Sequence, residues 1–249
     1  MHILVFLFPL IFLAGFIDSI AGGGGLISLT AYLAFGIPSH VALGTNKFAA
    51  CSGTTVAVGR YIKSKQIDVK ICIFSAITAL IGSSIGSHLT LLVSDFFIKY
   101  LLLVAAPILA ILTISKKDSV DGVLLVENAR VYIICALISL VIGAYDGFFG
   151  PGTGMFLIFF FTTILHMDIK KACGNAKVIN LASNIAALST FVINGNINYK
   201  IAIPCAFAQV VGSYIGSGFA IRHGSKVVKP IMLIVIFLLL IKVVYDLFF

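Results

Sequence analysis

Two glycine-rich stretches, each with one aspartate inside apolar sequence, are the residues of this chain best suited to chemistry. The first covers residues 15–25, with Asp18 ahead of four consecutive glycines, and the second covers residues 143–154, with Asp146 ahead of a Gly-Pro-Gly break. A carboxylate and helix-breaking residues are costly inside a membrane segment, so they usually mark function. A matching pair of interrupted apolar segments in two halves of a chain indicates the binding site of a transporter.

The glycine breaks predict anion binding by the main chain. Glycine and proline free N–H groups from the helical ladder, which a membrane tolerates only where the backbone is buried or lines a cavity. A helix that begins after each break presents unpaired N–H groups and the positive end of its dipole. Pro151 suits the second break, and Thr153 is placed to cap the helix that follows. Two such N-termini facing each other would attract an anion; the alternative is that the glycines only permit close helix packing.

Two lysines within apolar sequence, Lys47 and Lys177, are the candidate cationic groups. Lysine at the centre of a membrane helix costs roughly 2.5–3.5 kcal/mol, so it either lies beside a bound anion or extends its ammonium group to the interface. Asn180 and Asn184 share a helix face with Lys177, and their amide N–H groups can donate to an oxyanion. The predicted substrate-binding residues are Gly23, Gly24, Gly25, Thr45, Asn46, Lys47, Gly152, Thr153, Gly154, Asn175, Lys177, Asn180 and Asn184.

Asp18 and Asp146 have two interpretations. As structural groups they would accept hydrogen bonds from the loose N–H groups beside each break, and this interpretation is preferred. As functional groups they would carry a coupling proton, because burial stabilises the neutral carboxyl. Gln209 lies inside an apolar segment, and its expected role is a hydrogen bond between helices. The five cysteines have neither metal-ligand nor disulfide spacing, so no metal site and no cofactor are predicted.

The elements that must position these residues are membrane helices. The 249-residue chain is 60% hydrophobic and 10% charged, whereas soluble domains are about a quarter charged. Its mean hydropathy is +1.15. The net charge is +8, but lysine and arginine lie mostly between apolar runs, which indicates membrane topology and contact with anionic lipid rather than nucleic-acid binding. The composition predicts an all-α polytopic membrane protein.

The two halves of the chain are copies of each other. Residues 44–47 align with residues 174–177, and residues 82–87 with residues 212–217, at a constant offset of 130. The second segment of each half is short, about 13 residues or near 20 Å of helix against a ~30 Å hydrocarbon core. We predict 8–10 transmembrane segments, two of them half-helices. The apolar segments are residues 3–21, 24–36, 41–62, 69–91 and 96–114, then 131–149, 153–166, 171–193, 199–221 and 227–248.

Charge in the loops predicts that the repeats are inverted. The loop of residues 60–70 in the first half holds four cations, whereas the equivalent loop in the second half holds only Lys200. In the next loop the bias is reversed, because the first half has only Lys99 and residues 222–229 of the second half hold three cations. Under the positive-inside rule, equivalent loops then lie on opposite sides of the membrane. The prediction is a first membrane repeat over residues 1–114, a cytoplasmic linker over 115–130 and a second repeat over 131–249. Both termini would lie outside a plasma (inner) membrane.

At these residues the chain resembles the sulfite exporter TauE/SafE family, also called the toluene sulfonate uptake permease family. The motifs are G-F-I-D-S-I-A-G-G-G-G-L-I and L-G-T-N-K in the first half, and Y-D-G-F-F-G-P-G-T-G-M-F, N-A-K-V-I-N-L-A-S-N and G-S-Y-I-G-S in the second. Family members move sulfite, sulfonates or other small organosulfur anions across the plasma membrane. The resemblance therefore implies this substrate class, although members differ in substrate and direction.

We predict a secondary transporter for a small anion, sulfite or an organosulfonate, that works by alternating access. A passive anion channel of the same architecture is the alternative. An intramembrane enzyme is disfavoured, because H-E-x-x-H is absent and neither Ser19 nor Ser28 has an obvious histidine partner deep in a segment. The expected partners are the anion, membrane lipid and, as one option, a coupling proton; a homodimer is compatible with the sequence.

Overall fold

The computed structural model describes residues 2–94, 96–98, 129–231, 233–234 and 237. Every regular element within these ranges is a helix, which confirms the all-α prediction. The helices with defined bounds are α1 His2–Ala21, α2 Gly24–Ala34, α3 Ser39–Lys63, α4 Val69–Thr90, α5 Ala129–Phe148, α6 Thr153–Thr163, α7 Ile169–Ile193 and α8 Tyr199–His223.

Five of these helices are long and apolar enough to cross a membrane, namely α1, α4, α5, α7 and α8. The two short helices are α2 and α6, with 11 residues each. At 1.5 Å per residue an 11-residue helix is about 16 Å long, roughly half of the hydrocarbon thickness. The chain is therefore a polytopic helical membrane protein with two short apolar helices after the glycine breaks, as predicted. Both short helices end earlier than expected, at Ala34 and Thr163.

Helix α3 differs from the apolar segment that was predicted for residues 41–62. It has the same 25-residue length as α7, but it is not among the helices apolar enough to span a membrane. Polar residues such as Asn46 and Lys47 lower its hydropathy, and both are buried. Because a polar helix is tolerated at membrane depth only inside protein, α3 belongs to the interior of the bundle.

The long helices pair across the two halves of the sequence. Helix α1 packs chiefly against α8, and α4 packs chiefly against α5. Small residues bring these backbones together: a Cβ atom on Gly82 would overlap the Leu140 carbonyl, and one on Gly212 would overlap the Phe12 carbonyl. These close approaches show that Gly82 and Gly212 serve helix packing.

The two halves contact each other through equivalent residues in both directions. The Asn198 N–H donates to Thr45 Oγ1 at 3.1 Å, and at the positions offset by 130 the Asp68 N–H donates to Asn175 Oδ1 at 2.8 Å. In the same way, a Cβ atom on Gly44 would overlap the backbone before α8, and one on Gly174 the backbone before α4. The contacts between the halves are therefore reciprocal, as expected if an approximate two-fold axis relates the two halves.

Both predicted breaks have backbone that requires glycine. Gly22 has φ of +83°, and Gly150 and Gly152 have φ of +96° and +85°. Side chains other than glycine rarely adopt this left-handed region. The prediction that Thr153 caps α6 is wrong, since the N-cap position is Gly152 and has no side-chain cap. The Thr153 hydroxyl instead donates to Asp146 and to the Gly150 carbonyl, both at 2.7 Å.

Several predicted boundaries lie wholly or largely outside the described residues. These are the segment 96–114, the linker 115–130 and most of the segment 227–248. Helix α5 already begins at Ala129, two residues before the expected start of the second repeat. The division into repeats 1–114 and 131–249 and the sides of the termini stay predictions.

Candidate anion site

The N-terminal ends of the two short helices meet in the interior of the bundle. A Cβ atom on Gly154, in the first turn of α6, would lie 2.5 Å from the Gly22 Cα that precedes α2. One on Gly25 would lie 3.5 Å from the Pro151 Cα. The first turn of a helix has N–H groups without intrahelical acceptors and carries the positive end of the dipole. Two partial positive charges therefore face the same small volume.

A cavity of about 20 Å³ lies at this meeting point. It is slightly larger than the ~10–15 Å³ that a single water molecule needs. Among the residues predicted to bind substrate, those that line it are Gly25, Asn46, Lys47, Gly152, Thr153, Gly154, Asn180 and Asn184, and both aspartates, Asp18 and Asp146, line it too.

Both candidate lysines are buried in ion pairs with the two aspartates. Lys47 Nζ lies 2.8 Å from Asp146 Oδ2, and Lys177 Nζ lies 2.7 Å from Asp18 Oδ2. Each pair joins α3 or α7 to the helix that precedes the glycine break of the opposite half. Lys47 is 2% exposed and Lys177 is fully buried. The structure therefore excludes the interpretation in which these lysines extend to the membrane interface.

A network of side chains surrounds the Lys47–Asp146 pair. Lys47 also donates to Asn184 Oδ1 at 2.9 Å, and the Asn184 amide donates to Asn180 Oδ1 at 3.0 Å. The Asp146 carboxylate accepts hydrogen bonds from Thr153 at 2.7 Å and from Ser183 at 2.6 Å. Asp146 thereby ties α5 to the start of α6 and to α7, but its donors are two hydroxyls and an ammonium group, not the loose N–H groups that the structural interpretation predicted.

The Lys177–Asp18 pair has fewer neighbours. Within the described part of the chain, the only side chain that donates to the Asp18 carboxylate is Lys177. Asp18 is also packed closely against the start of α2, because a Cβ atom on Gly24 would lie 2.6 Å from the Asp18 Cβ. The two pairs occupy equivalent positions of the halves, but their polar environments differ.

Five of the predicted residues do not line the cavity. Thr45 and Asn175 instead hold the loops before α8 and α4 by the hydrogen bonds described above. Lys177 contacts Asp18 and does not itself reach the cavity. Gly23 is the N-cap residue of α2, and Gly24 is the first residue of that helix. These residues support the walls of the cavity, and sequence alone could not separate them from its lining.

Other residues reach the cavity without having been predicted, namely Gly22, Ser28, Ala50, Gly150 and Gln209. Ser28 donates to Asn46 Oδ1 at 2.5 Å. Ser28 lies four residues after Gly24, so helical spacing could have predicted that it shares a face of α2 with the glycine break. The Gln209 amide oxygen is buried with no hydrogen-bond partner in the described residues. The default interpretation of Gln209 as a helix–helix hydrogen bond is therefore not supported for that oxygen.

Comparison with known proteins gives a single family. A family model described as "Sulfite exporter TauE/SafE" matches residues 7–243. The chain is 34% identical over 248 residues to "Probable membrane transporter protein ORF9" of Sinorhizobium sp, covering 98% of this chain and 94% of that protein. It is 33% identical over 246 residues to a "Probable membrane transporter protein" of Haemophilus influenzae, with 98% and 95% covered. It is 34% identical over 248 residues to "Probable membrane transporter protein YfcA" of Escherichia coli K12, with 96% and 89% covered. No solved structure matches the chain significantly.

Proposed function

The chain belongs to the sulfite exporter TauE/SafE family, a family of transporters and not of enzymes, and we propose that it is a secondary transporter for a small anion. The observation that carries this proposal is the meeting of two helix N-termini at one buried polar cavity, with Lys47 in its wall. Backbone N–H groups, helix dipoles and an ammonium group all favour a bound anion at this point. The proposed binding groups are those of the cavity lining, with Thr45, Asn175 and Lys177 as their support.

The lining also bears on the kind of anion. Within the described residues, Ala50 supplies the one apolar side chain of the cavity, and every other member is glycine or polar. An organic substituent on the anion would have no apolar surface to contact. This wall favours a small anion whose surface is mostly oxygen, such as sulfite or methanesulfonate, over a sulfonate with a bulky organic group.

Alternating access is the mechanism that we propose. The cavity of about 20 Å³ is lined largely by buried residues, which supports a carrier with a closed state over a standing pore. The contacts that the halves exchange support two repeats with an approximate two-fold relation. Together with the loop charges, they support inverted repeats, with the linker 115–130 in the cytoplasm and both termini outside a plasma membrane.

Counterflow in proteoliposomes tests the proposal. Vesicles loaded with unlabelled sulfite are expected to take up labelled sulfite through the wild-type protein with saturation and trans-stimulation, and methanesulfonate and sulfate serve as competitors. Fast flux that neither saturates nor responds to internal anion would identify the channel instead. Absence of exchange for all three anions would overturn the proposed substrate class. An Asn184→Ala variant is expected to raise the KM for sulfite, because it removes an amide beside Lys47.

A further inference from the structure

The four buried charges of the site balance one another. Lys47 is paired with Asp146 and Lys177 with Asp18, at 2.8 and 2.7 Å, so the site carries no net charge. An anion that enters this site adds a full negative charge, and with both lysines already paired only the backbone N–H groups and the dipoles of α2 and α6 are left to offset it. A buried charge that lacks a full counter-charge is unfavourable, so a positive charge that enters together with the anion would favour its binding.

The two carboxylates differ in how firmly their negative charge is held. Asp146 accepts hydrogen bonds from Thr153 and Ser183 in addition to its ion pair with Lys47. Asp18 accepts from Lys177 alone among the described side chains, and its side chain is 11% exposed against 2% for Asp146. Hydrogen bonds to a carboxylate stabilise its charged form. Asp18 is therefore the carboxylate that loses less when it takes up a proton.

We propose that one proton on Asp18 accompanies each monovalent anion through the site. This inference rests on the proposed function and names its coupling ion. The Asp18 carboxylate takes the proton from a hydronium ion on the side to which the site is open, and a water molecule is left behind. The Lys177 ammonium keeps its protons, and the anion in the cavity on the other side of Asp18 supplies the negative charge that this carboxylate gives up.

Charge balance explains why the proton and the anion would move together. The empty site holds two ammonium and two carboxylate groups, and the loaded site holds two ammonium groups, one carboxylate and the anion. Both forms are neutral, whereas a site with only the proton or only the anion has one unpaired charge. The partly loaded forms are therefore the ones least able to pass through a closed state within the membrane.

Few other ionisable groups face Asp18. Besides Lys177, the charged or titratable groups near it are Lys47 and Tyr61 from α3 and Asp146 from α5, and Cys173 from α7 lies near Tyr61. The cavity-lining polar side chains of α2, α6 and α8 are uncharged: Ser28, Thr153 and Gln209. In the described part of the chain, no additional carboxylate lines the cavity and competes with Asp18 and Asp146 for the proton.

The test uses the full-length protein in vesicles that enclose a pH-sensitive dye. Methanesulfonate is added outside, because it stays singly charged over the working pH range. The wild-type protein is expected to acidify the interior as the anion enters, and to accumulate the anion along an inward proton gradient. In Asp18→Asn, the amide mimics the protonated carboxyl. We expect this variant to lose the dye response and the accumulation, while its remaining anion exchange becomes independent of pH.

Two further variants keep the outcome clear. Asp146→Asn is the matched comparison, and unlike Asp18→Asn it is expected to lose anion exchange itself, because this carboxylate also holds Thr153 and Ser183. If Asp18→Asn fails to fold, the double variant with Lys177→Met removes the pair without leaving an unpaired charge, and it too should lose the dye response.

The outcomes separate this inference from the proposed function. Anion uptake by the wild-type protein without proton entry, or proton entry that persists in the Asp18 variants, overturns the role of Asp18 and leaves the transporter proposal in place. A dependence on sodium in place of protons overturns it in the same way. If the wild-type protein exchanges neither methanesulfonate nor sulfite, the proposed function itself fails.

Discussion

At the scale of single residues, each buried lysine has a defined partner in the opposite half of the sequence. The Lys47–Asp146 and Lys177–Asp18 contacts join residues that are 99 and 159 positions apart. Ion pairs of this kind are not strong net contributors to stability, since desolvation offsets their attraction, but removal of one partner leaves a buried charge. The pairs therefore hold the halves in one register and make the site sensitive to any single charge change.

A double-mutant cycle measures this coupling. Lys47→Met alone and Asp146→Asn alone are each expected to lower the free energy of unfolding by about 3–5 kcal/mol, because each variant leaves an unpaired buried group. The double variant should be less destabilised than the sum of the two. Thermal or denaturant unfolding in detergent gives the three values. If the effects simply add, the two side chains are not coupled and the ion pair is not the feature that matters.

At the scale of elements, α2 and α6 are positioned by backbone contact. Gly22 and Gly154 touch where the two short helices begin, so there is no room for a side chain on either glycine. A helix of 11 residues is marginally stable on its own, and most of its stability comes from tertiary contacts. The separation of the two N-termini, and with it the width of the cavity, depends on these two glycines.

Gly154→Ala tests this dependence, with Gly59→Ala as its matched control. The new methyl group would lie 2.5 Å from the Gly22 Cα and push α2 and α6 apart, which should lower the free energy of unfolding by about 1–3 kcal/mol. It should also reduce sulfite exchange. Gly59 lies within α3 with nothing near its Cβ position, so alanine there should stabilise the protein by up to about 1 kcal/mol. Equal stability of the two variants would contradict the proposed close approach.

At the scale of the whole molecule, the two halves interlock and do not stand side by side. Helix α1 of the first half packs on α8 of the second, and α5 of the second packs on α4 of the first. The site lies where α3 and α7 cross between these pairs, and it takes one lysine from each half. A relative movement of the halves, as in the proposed alternating access, would therefore change both ion pairs at once.

Cysteine labelling tests the inverted arrangement. Ser64 and Asn194 follow α3 and α7 at equivalent positions of the two halves. If the repeats are inverted, a membrane-impermeant maleimide applied to intact cells should label Asn194→Cys directly, and Ser64→Cys only after the membrane is made permeable. The background should be low, because all five native cysteines are buried. Labelling of both positions from one side would contradict inversion.

Local physical chemistry explains what could be predicted. Hydropathy identified the helices, and glycine and proline located the two breaks to within a few residues, because both depend on nearest neighbours in the chain. The cost of a buried charge directed attention to Lys47, Lys177 and the two aspartates, and the structure brings all four together. Family membership also followed from the motifs themselves.

The sequence by itself thus determined the class of protein, the short helices and the polar residues of the interior. Only the tertiary structure decided which of these residues face one another. Lysine reaches several ångströms from its backbone through rotatable bonds, so its partner depends on how distant helices cross and not on its position in the chain. For the same reason, Thr45 and Asn175 became loop supports while Ser28 and Gln209 entered the cavity wall. The neutral sum of the four charges, on which the proposed coupling proton depends, exists only once both halves are packed together.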